Sequence, residues 1–329
     1  MRSSPGVGRR GGLPNRRLAR RVVIRPSPVG AGVEARERFI ATDRYRARRE
    51  WQRYEGTAQR DLFRELRDRF LARHSAPVSR ALDVGAGPGR FTARLGTSAI
   101  TRRIALDIGR EMLLELSERW SAAHPGEEAP DRILGDGARP PFADGVFGTV
   151  AVLGNLLGFA GEESEWLLEQ VVALLSPGAI LLLEVAPGPG ESSRYLHRLP
   201  PRSVVRLLRS PPNAVALRIA REGFRVEPSR RKKPGEFRRV DAADLCRRLV
   251  SSGFRVEEVL AVAPSLGPDP ERTEAVRRDP KAWGHLLDVE ETVGRNPERW
   301  PNAAAVLVAA TGPGGGREGL GFAARKSEG

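Results

Sequence analysis

The stretch Ala81-Leu82-Asp83-Val84-Gly85-Ala86-Gly87-Pro88-Gly89-Arg90-Phe91 decides how this chain is read. Its first four residues close a short apolar run of strand type. The glycines that follow permit positive φ and let a ligand come close to the backbone. A helix opening after such a loop offers unpaired N–H groups to that ligand. A dinucleotide-binding loop reads G-x-G-x-x-G, but Arg90 stands where the third glycine belongs. The spacing is G-x-G-x-G, with Asp83 two residues ahead of Gly85. A carboxylate there opposes a pyrophosphate and suits a cationic ligand.

On either side of the loop, strand and helix signals alternate. Apolar runs occur at 80–84, 104–107, 132–134, 146–153 and 179–185, with two more at 254–262 and 303–310. Helical spacing lies between them, as at 162–175, where Trp166, Leu167, Val171 and Leu174 are expected to face inward. Asp241 reads as an N-cap and Gly253 as a stop around a helix bearing Leu245, Leu249 and Val250. The alternation predicts an α/β fold, a doubly wound, mostly parallel sheet with helices on both faces. Asp107 ends the second strand about 20 residues beyond the loop, a position suited to ribose hydroxyls or to starting the next helix. Asp136 follows the third strand, placed for an adenine amino group or for a turn. Ile108 and Met112 are placed to flank the ring.

The set ALDVGAGPGRF, ALDIGREML, GDGARPPFADGVF and LLSPGAILLLEV, with EFRRVDAADLCRRLVSSGFRV further on, resembles the class I S-adenosylmethionine-dependent methyltransferases and their generic methyltransferase-domain group. The resemblance covers roughly residues 56–190 and 236–311. It implies a seven-stranded sheet of order 3-2-1-4-5-7-6 with the last strand antiparallel. It also implies S-adenosylmethionine as cofactor, with Asp83 near its amino-acid end, Asp107 at the ribose and Asp136 at the adenine, and Gly85, Gly87, Gly89 and Gly137 as further candidate contacts. The chain departs from the family at Phe147-Gly148, where an aspartate usually follows the phenylalanine.

The methyl acceptor is harder to read. The end of the fourth strand, Val152-Leu153-Gly154-Asn155-Leu156-Leu157-Gly158-Phe159, faces the transferable methyl in this family. It lacks the Asn/Asp-Pro-Pro-aromatic motif of enzymes that methylate nucleobase amino groups. Cytosine C5 chemistry needs a nucleophilic cysteine, and Cys246, the sole cysteine, lies on an apolar helical face. Asn155 is a candidate for positioning cofactor or acceptor, or for capping a turn. Glu184, Tyr195 and His197 are candidate bases, each equally readable as a packing or surface residue. The expected activity is methyl transfer to O or N of a small molecule. Two alternatives stay open: an RNA-directed methyltransferase or RNA-binding protein using the basic N-terminus, and a non-catalytic S-adenosylmethionine-binding protein.

Residues 1–80 carry 21 arginines against 8 acidic residues, while the rest of the chain is nearly neutral. Residues 1–33 hold no acid and read as a disordered basic tail. Helices are expected over 34–78, with Leu62, Phe63, Leu66, Phe70 and Leu71 on one face and Gly56-Thr57 dividing two of them. Aromatic residues of the first, Tyr45, Trp51 and Tyr54, are expected to pack on the main domain or to wall the ligand site. The methyltransferase domain is expected over 79–311, interrupted at 186–240 by an insertion serving as an acceptor-binding lid. That insertion contains the Arg230-Arg231-Lys232-Lys233 run. A second irregular stretch is expected at 265–301, and a disordered tail over 312–329. No apolar run approaches the roughly 20 residues of a membrane span, and no metal-ligand spacing occurs, so the expectation is a cytoplasmic protein without metal.

Overall fold

The computed structural model describes residues 43–53, 55–96, 102–227, 238–267 and 269–314, together with Glu37 and Ile40. The basic tail 1–33, Tyr54, the Arg230–Lys233 run and residues 315–329 lie outside the described residues.

Seven strands form one sheet: β1 (Arg80–Val84), β2 (Arg102–Asp107), β3 (Asp131–Leu134), β4 (Phe147–Val152), β5 (Leu175–Val185), β8 (Arg255–Ala261) and β9 (Val306–Thr311). Their order is β3-β2-β1-β4-β5-β9-β8. Pairing is parallel from β3 through β5, and β9 runs antiparallel to both its neighbours. Counted within the sheet, this is the expected 3-2-1-4-5-7-6. A separate ribbon pairs β6 (Glu191–Ser193) with β7 (Phe224–Val226) inside the insertion.

Period-two alternation divides the core between the two faces of the sheet. Leu82, Val84, Val150, Val152, Leu181 and Leu183 point to the face covered by the helices at Ser164–Ala173 (α5) and Ala242–Ser251 (α9). Ala81, Ala151, Leu182 and Ala309 point to the other. The three alanines leave room for Leu62, Leu66 and Phe70 of the helix Ala58–His74 (α2), which is thereby a layer of the sheet's own core. Thr57 caps this helix by accepting from the Arg60 N–H, and Gly56, at φ +85°, separates it from α1 (Arg44–Gln52). Phe70 is fully buried, so Phe70→Ala is expected to lower unfolding free energy by about 3–5 kcal/mol in a denaturant titration.

The same face is completed by α7 (Pro201–Leu208) and α8 (Pro212–Glu222) of the insertion, preceded by the short α6 (Arg194–Arg198). It also includes α10 (Pro270–Arg277) and α11 (Pro280–Gly294). The stretch 265–301 is therefore largely helical, against the irregular reading. Asp269 and Asp279 cap its helices by accepting from Arg272 and Ala282 N–H groups, each followed by proline at the first helical position. One smaller expectation also changes: Trp166 is half exposed, its indole N–H donating to the Ala138 carbonyl. Among the described residues no helix is long and apolar enough to cross a membrane.

Candidate functional site

The parallel strands end on one side, and the glycine loop turns there. Gly85 and Ala86 N–H groups donate to the Leu106 carbonyl, fixing the loop against β2. Gly85, Gly87 and Gly89 all have positive φ, as the sequence spacing implied, but their surroundings differ. A Cβ on Gly87 meets nothing within 4 Å, whereas one on Gly89 sits 2.4 Å from Leu116 Cγ. Gly89 is a packing glycine against the helix Arg110–Ala123 (α3), and it does not line the cleft. Gly89→Ala is expected to cost about 1–3 kcal/mol of stability through that overlap and its φ of +81°. The folded variant should keep ligand affinity within about twofold, measured by calorimetry.

A cleft of about 1240 Å³, its open mouth included, lies over the loop. Eight of the ten residues named from sequence as cofactor contacts line it: Asp83, Gly85, Gly87, Asp107, Ile108, Met112, Asp136 and Gly137. Gly89 and Asn155 do not. The rest of the wall includes Phe91, Leu153, Gly154, Leu156 and Phe159, from the loop itself and from the segment after β4. That segment was flagged as facing the site, but its aromatic and aliphatic lining was not. Glu50 and Glu163 also reach the cleft, and no sequence signal pointed to either.

Each carboxylate is held differently. Asp107 Oδ2 accepts from Gly87 N–H and Oδ1 from Gly109 N–H, both at 2.7 Å, so one side chain joins the glycine loop to the start of α3. Burial pushes its pKa upward, against those two bonds. Asp83 is fully buried and accepts from Thr92 Oγ at 2.7 Å. Burial, reinforced by the neighbouring Asp107 charge, pushes Asp83 up to about 7. Asp136 Oδ1 accepts from Ala138 N–H at 2.9 Å in a local turn. Of the described lining residues, Glu50, Asp83, Asp107, Asp136 and Glu163 are acidic and Arg90 alone is basic. The Arg90 guanidinium is turned to the N-terminal helix, lying 4.3 Å from the centroid of the Trp51 ring and donating to the Trp51 carbonyl. Trp51 thus packs on the loop, whereas Tyr45 is exposed. The cleft is acidic, with Ile108, Met112 and Leu167 as apolar walls: a fit for a flat ring carrying a positively charged tail.

The other candidates lie elsewhere. Asn155 is buried in the left-handed region (φ 62°), and its Oδ1 accepts from Ala186 N–H at 3.0 Å, stapling β4's end to β5's. Its side chain makes no cap bond to the helix Leu156–Ala160 that follows; its bond reaches across to the residue after β5. Glu184 is buried in a two-bond ion pair with Arg67, Nε–Oε2 3.0 Å and Nη2–Oε1 2.6 Å. Burial raises its pKa, but the adjacent guanidinium outweighs this and holds it below the usual range. Tyr195 packs under the Arg218 guanidinium, and His197 is exposed; neither lines the cleft. The described part of the insertion contributes no lining residue and packs on α10 and α11 instead.

Residues 81–178, from β1 into β5, match the family model of a methyltransferase domain. The chain carries a class I methyltransferase domain. S-adenosylmethionine is the cofactor of such a domain. No curated protein matches the chain. Solved structures similar to it include the magnesium protoporphyrin IX methyltransferase of Synechocystis PCC 6803 with S-adenosylhomocysteine, at 14% identity and TM-score 0.49, covering 86% of this chain and 100% of that one. Another is the geranyl diphosphate C-methyltransferase of Streptomyces coelicolor A3(2), at 12% identity and TM-score 0.40, covering 74% of each chain. Likeness at this level carries nothing about the acceptor of this methyltransferase domain.

Proposed function

We propose that this protein transfers the methyl group of S-adenosylmethionine to an oxygen or nitrogen atom of a small molecule. The observation that carries the reading is the row of carboxylates Asp136, Asp107 and Asp83 along one acidic, apolar-walled cleft at the ends of adjacent strands. Asp107 would accept from the ribose hydroxyls, Ile108 and Met112 would flank the adenine, and Asp136 and Gly137 would lie at its edge. Asp83 and the Gly85–Gly87 turn would receive the cationic amino-acid tail. The cofactor supplies a methyl group already activated on a sulfonium, so the chain's task is to hold donor and acceptor in line and exclude water. Among the described residues the lining holds carboxylates but no His or Tyr.

Incubation with methyl-labelled cofactor and fractionated cell extract tests this. Label entering the small-molecule fraction is the expected result. Label entering RNA or protein would replace the small-molecule acceptor, and tight cofactor binding without transfer to any fraction would leave a binding protein.

A further inference from the structure

The turn after β4 is an unusual piece of backbone. Gly154 (φ 67°) and Asn155 (φ 62°) are consecutive residues in the left-handed region, which a non-glycine residue enters only when its surroundings hold it there. Both are tied to β5. Asn155 Oδ1 accepts from Ala186 N–H, and Glu184 Oε2 accepts from Gly154 N–H at 3.3 Å. Glu184 is in turn fixed by Arg67, whose Nη1 donates to the Phe63 carbonyl one helical turn back in α2. Arg67 and Glu184 are about 95% buried, and a buried ion pair seldom adds net stability over an apolar pair of the same volume. Its use here is geometric.

We infer that the Arg67–Glu184 pair is a positioning unit: it sets the Gly154 turn and with it the wall of the cleft at the ligand's tail end. The sheet order supports the assignment of the end. Because β3, β2, β1 and β4 lie side by side, Asp136, Asp107, Asp83 and Gly154 follow one another along the cleft. A ligand whose adenosine lies by β2 and β3 therefore has its tail by Gly154. The inference rests on the proposed cofactor reading, and it reassigns Glu184 from candidate base to a residue acting through Gly154.

The test compares R67M/E184M, which removes both the charge pair and the acceptor for Gly154 N–H, with R67M/E184Q, which restores an amide acceptor without a buried charge. Calorimetry would measure S-adenosylhomocysteine and adenosine, the latter lacking the tail. The expected result is a loss of about tenfold in S-adenosylhomocysteine affinity in R67M/E184M, equivalent to one lost hydrogen bond plus a displaced wall. Adenosine affinity should stay within twofold, and R67M/E184Q should recover most of the loss. Unchanged S-adenosylhomocysteine affinity, or parallel weakening of both ligands, would overturn the inference. Amide hydrogen exchange at Gly154 gives a readout that needs no ligand and can be taken on the single variant R67K, which keeps a cation but loses the two-bond clamp that places Glu184, if the double variants fail to fold. Exchange at Gly154 should quicken where the acceptor is lost or displaced, and unchanged protection in every variant overturns the positioning role. Wild-type protein that binds neither ligand would sink the cofactor reading instead, a distinguishable failure.

Discussion

Asp107→Ala is expected to weaken S-adenosylhomocysteine binding about 100-fold or more in a calorimetric titration, with a smaller effect on stability. In the proposed complex the carboxylate accepts charge-assisted bonds from both ribose hydroxyls, each worth roughly 1.5–3 kcal/mol when made in a partly dry cleft. The same oxygens hold Gly87 and Gly109 N–H groups, so alanine also frees the glycine loop from β2 and adds to the loss. Both amides lose their carboxylate partner, but at the cleft water can replace it, which limits the destabilisation. Asp107→Asn separates the effects, since it keeps one acceptor oxygen and the side-chain volume while removing the charge. Its affinity should fall between wild type and alanine. Affinity within threefold of wild type for Asp107→Ala would remove the ribose assignment.

Much of this site was legible because its determinants are local. Asp83, Asp107 and Asp136 each close a strand whose apolar run is visible, and a short parallel strand must deliver its last residue to the same edge of the sheet as its neighbours. Gly85 and Gly87 were legible for the same reason. Gly89 shared their spacing and their positive φ but answers to Leu116 of α3, a partner that spacing does not reveal. Glu50 and Glu163 reach the cleft through the packing of α1 and of the segment before α5, so only the assembled fold places them there. Glu184 was left open between base and packing residue because its partner, Arg67, lies 117 residues away in sequence.

The prolines mark the other limit. Pro200-Pro201 and Pro211-Pro212 lie in the insertion, and Asp269-Pro270 and Asp279-Pro280 in the stretch 265–301 that read as irregular. In the fold, Pro201, Pro212, Pro270 and Pro280 each open a helix, where the missing N–H costs nothing and the fixed φ is already helical. The Asp-Pro pairs carried the signal twice over, as N-cap and first helical residue. Apolar spacing after them, Val204 with Leu208 and Leu286 with Val289 and Val293, was available to confirm it.

Asp83 leads to the second large effect, a pH dependence of binding. With its carboxyl pushed up to about 7, ligand-free protein holds a proton there through the acidic range. The ligand's α-ammonium group beside it favours the carboxylate, so binding below pH 7 must release that proton. S-adenosylhomocysteine affinity should therefore rise about tenfold from pH 6 to pH 8 and then level off. Calorimetry in buffers of different ionisation enthalpy should show close to one proton released at pH 6 and almost none at pH 8. The stability of the ligand-free protein follows the opposite course. Because the folded value lies above the usual 3.8, the contribution is fully present below about pH 4 and is lost as pH rises through 7. Asp83→Asn removes that loss, since an amide accepts the Thr92 hydroxyl without a buried charge. At pH 8 the variant should be more stable than wild type by up to the order of 4 kcal/mol, the equivalent of the full shift. Its S-adenosylhomocysteine affinity should be low and flat with pH. A flat wild-type profile with no proton release would show that Asp83 does not meet the ligand's charged end. A variant less stable than wild type at pH 8 would show that its carboxylate is paid for elsewhere in the fold.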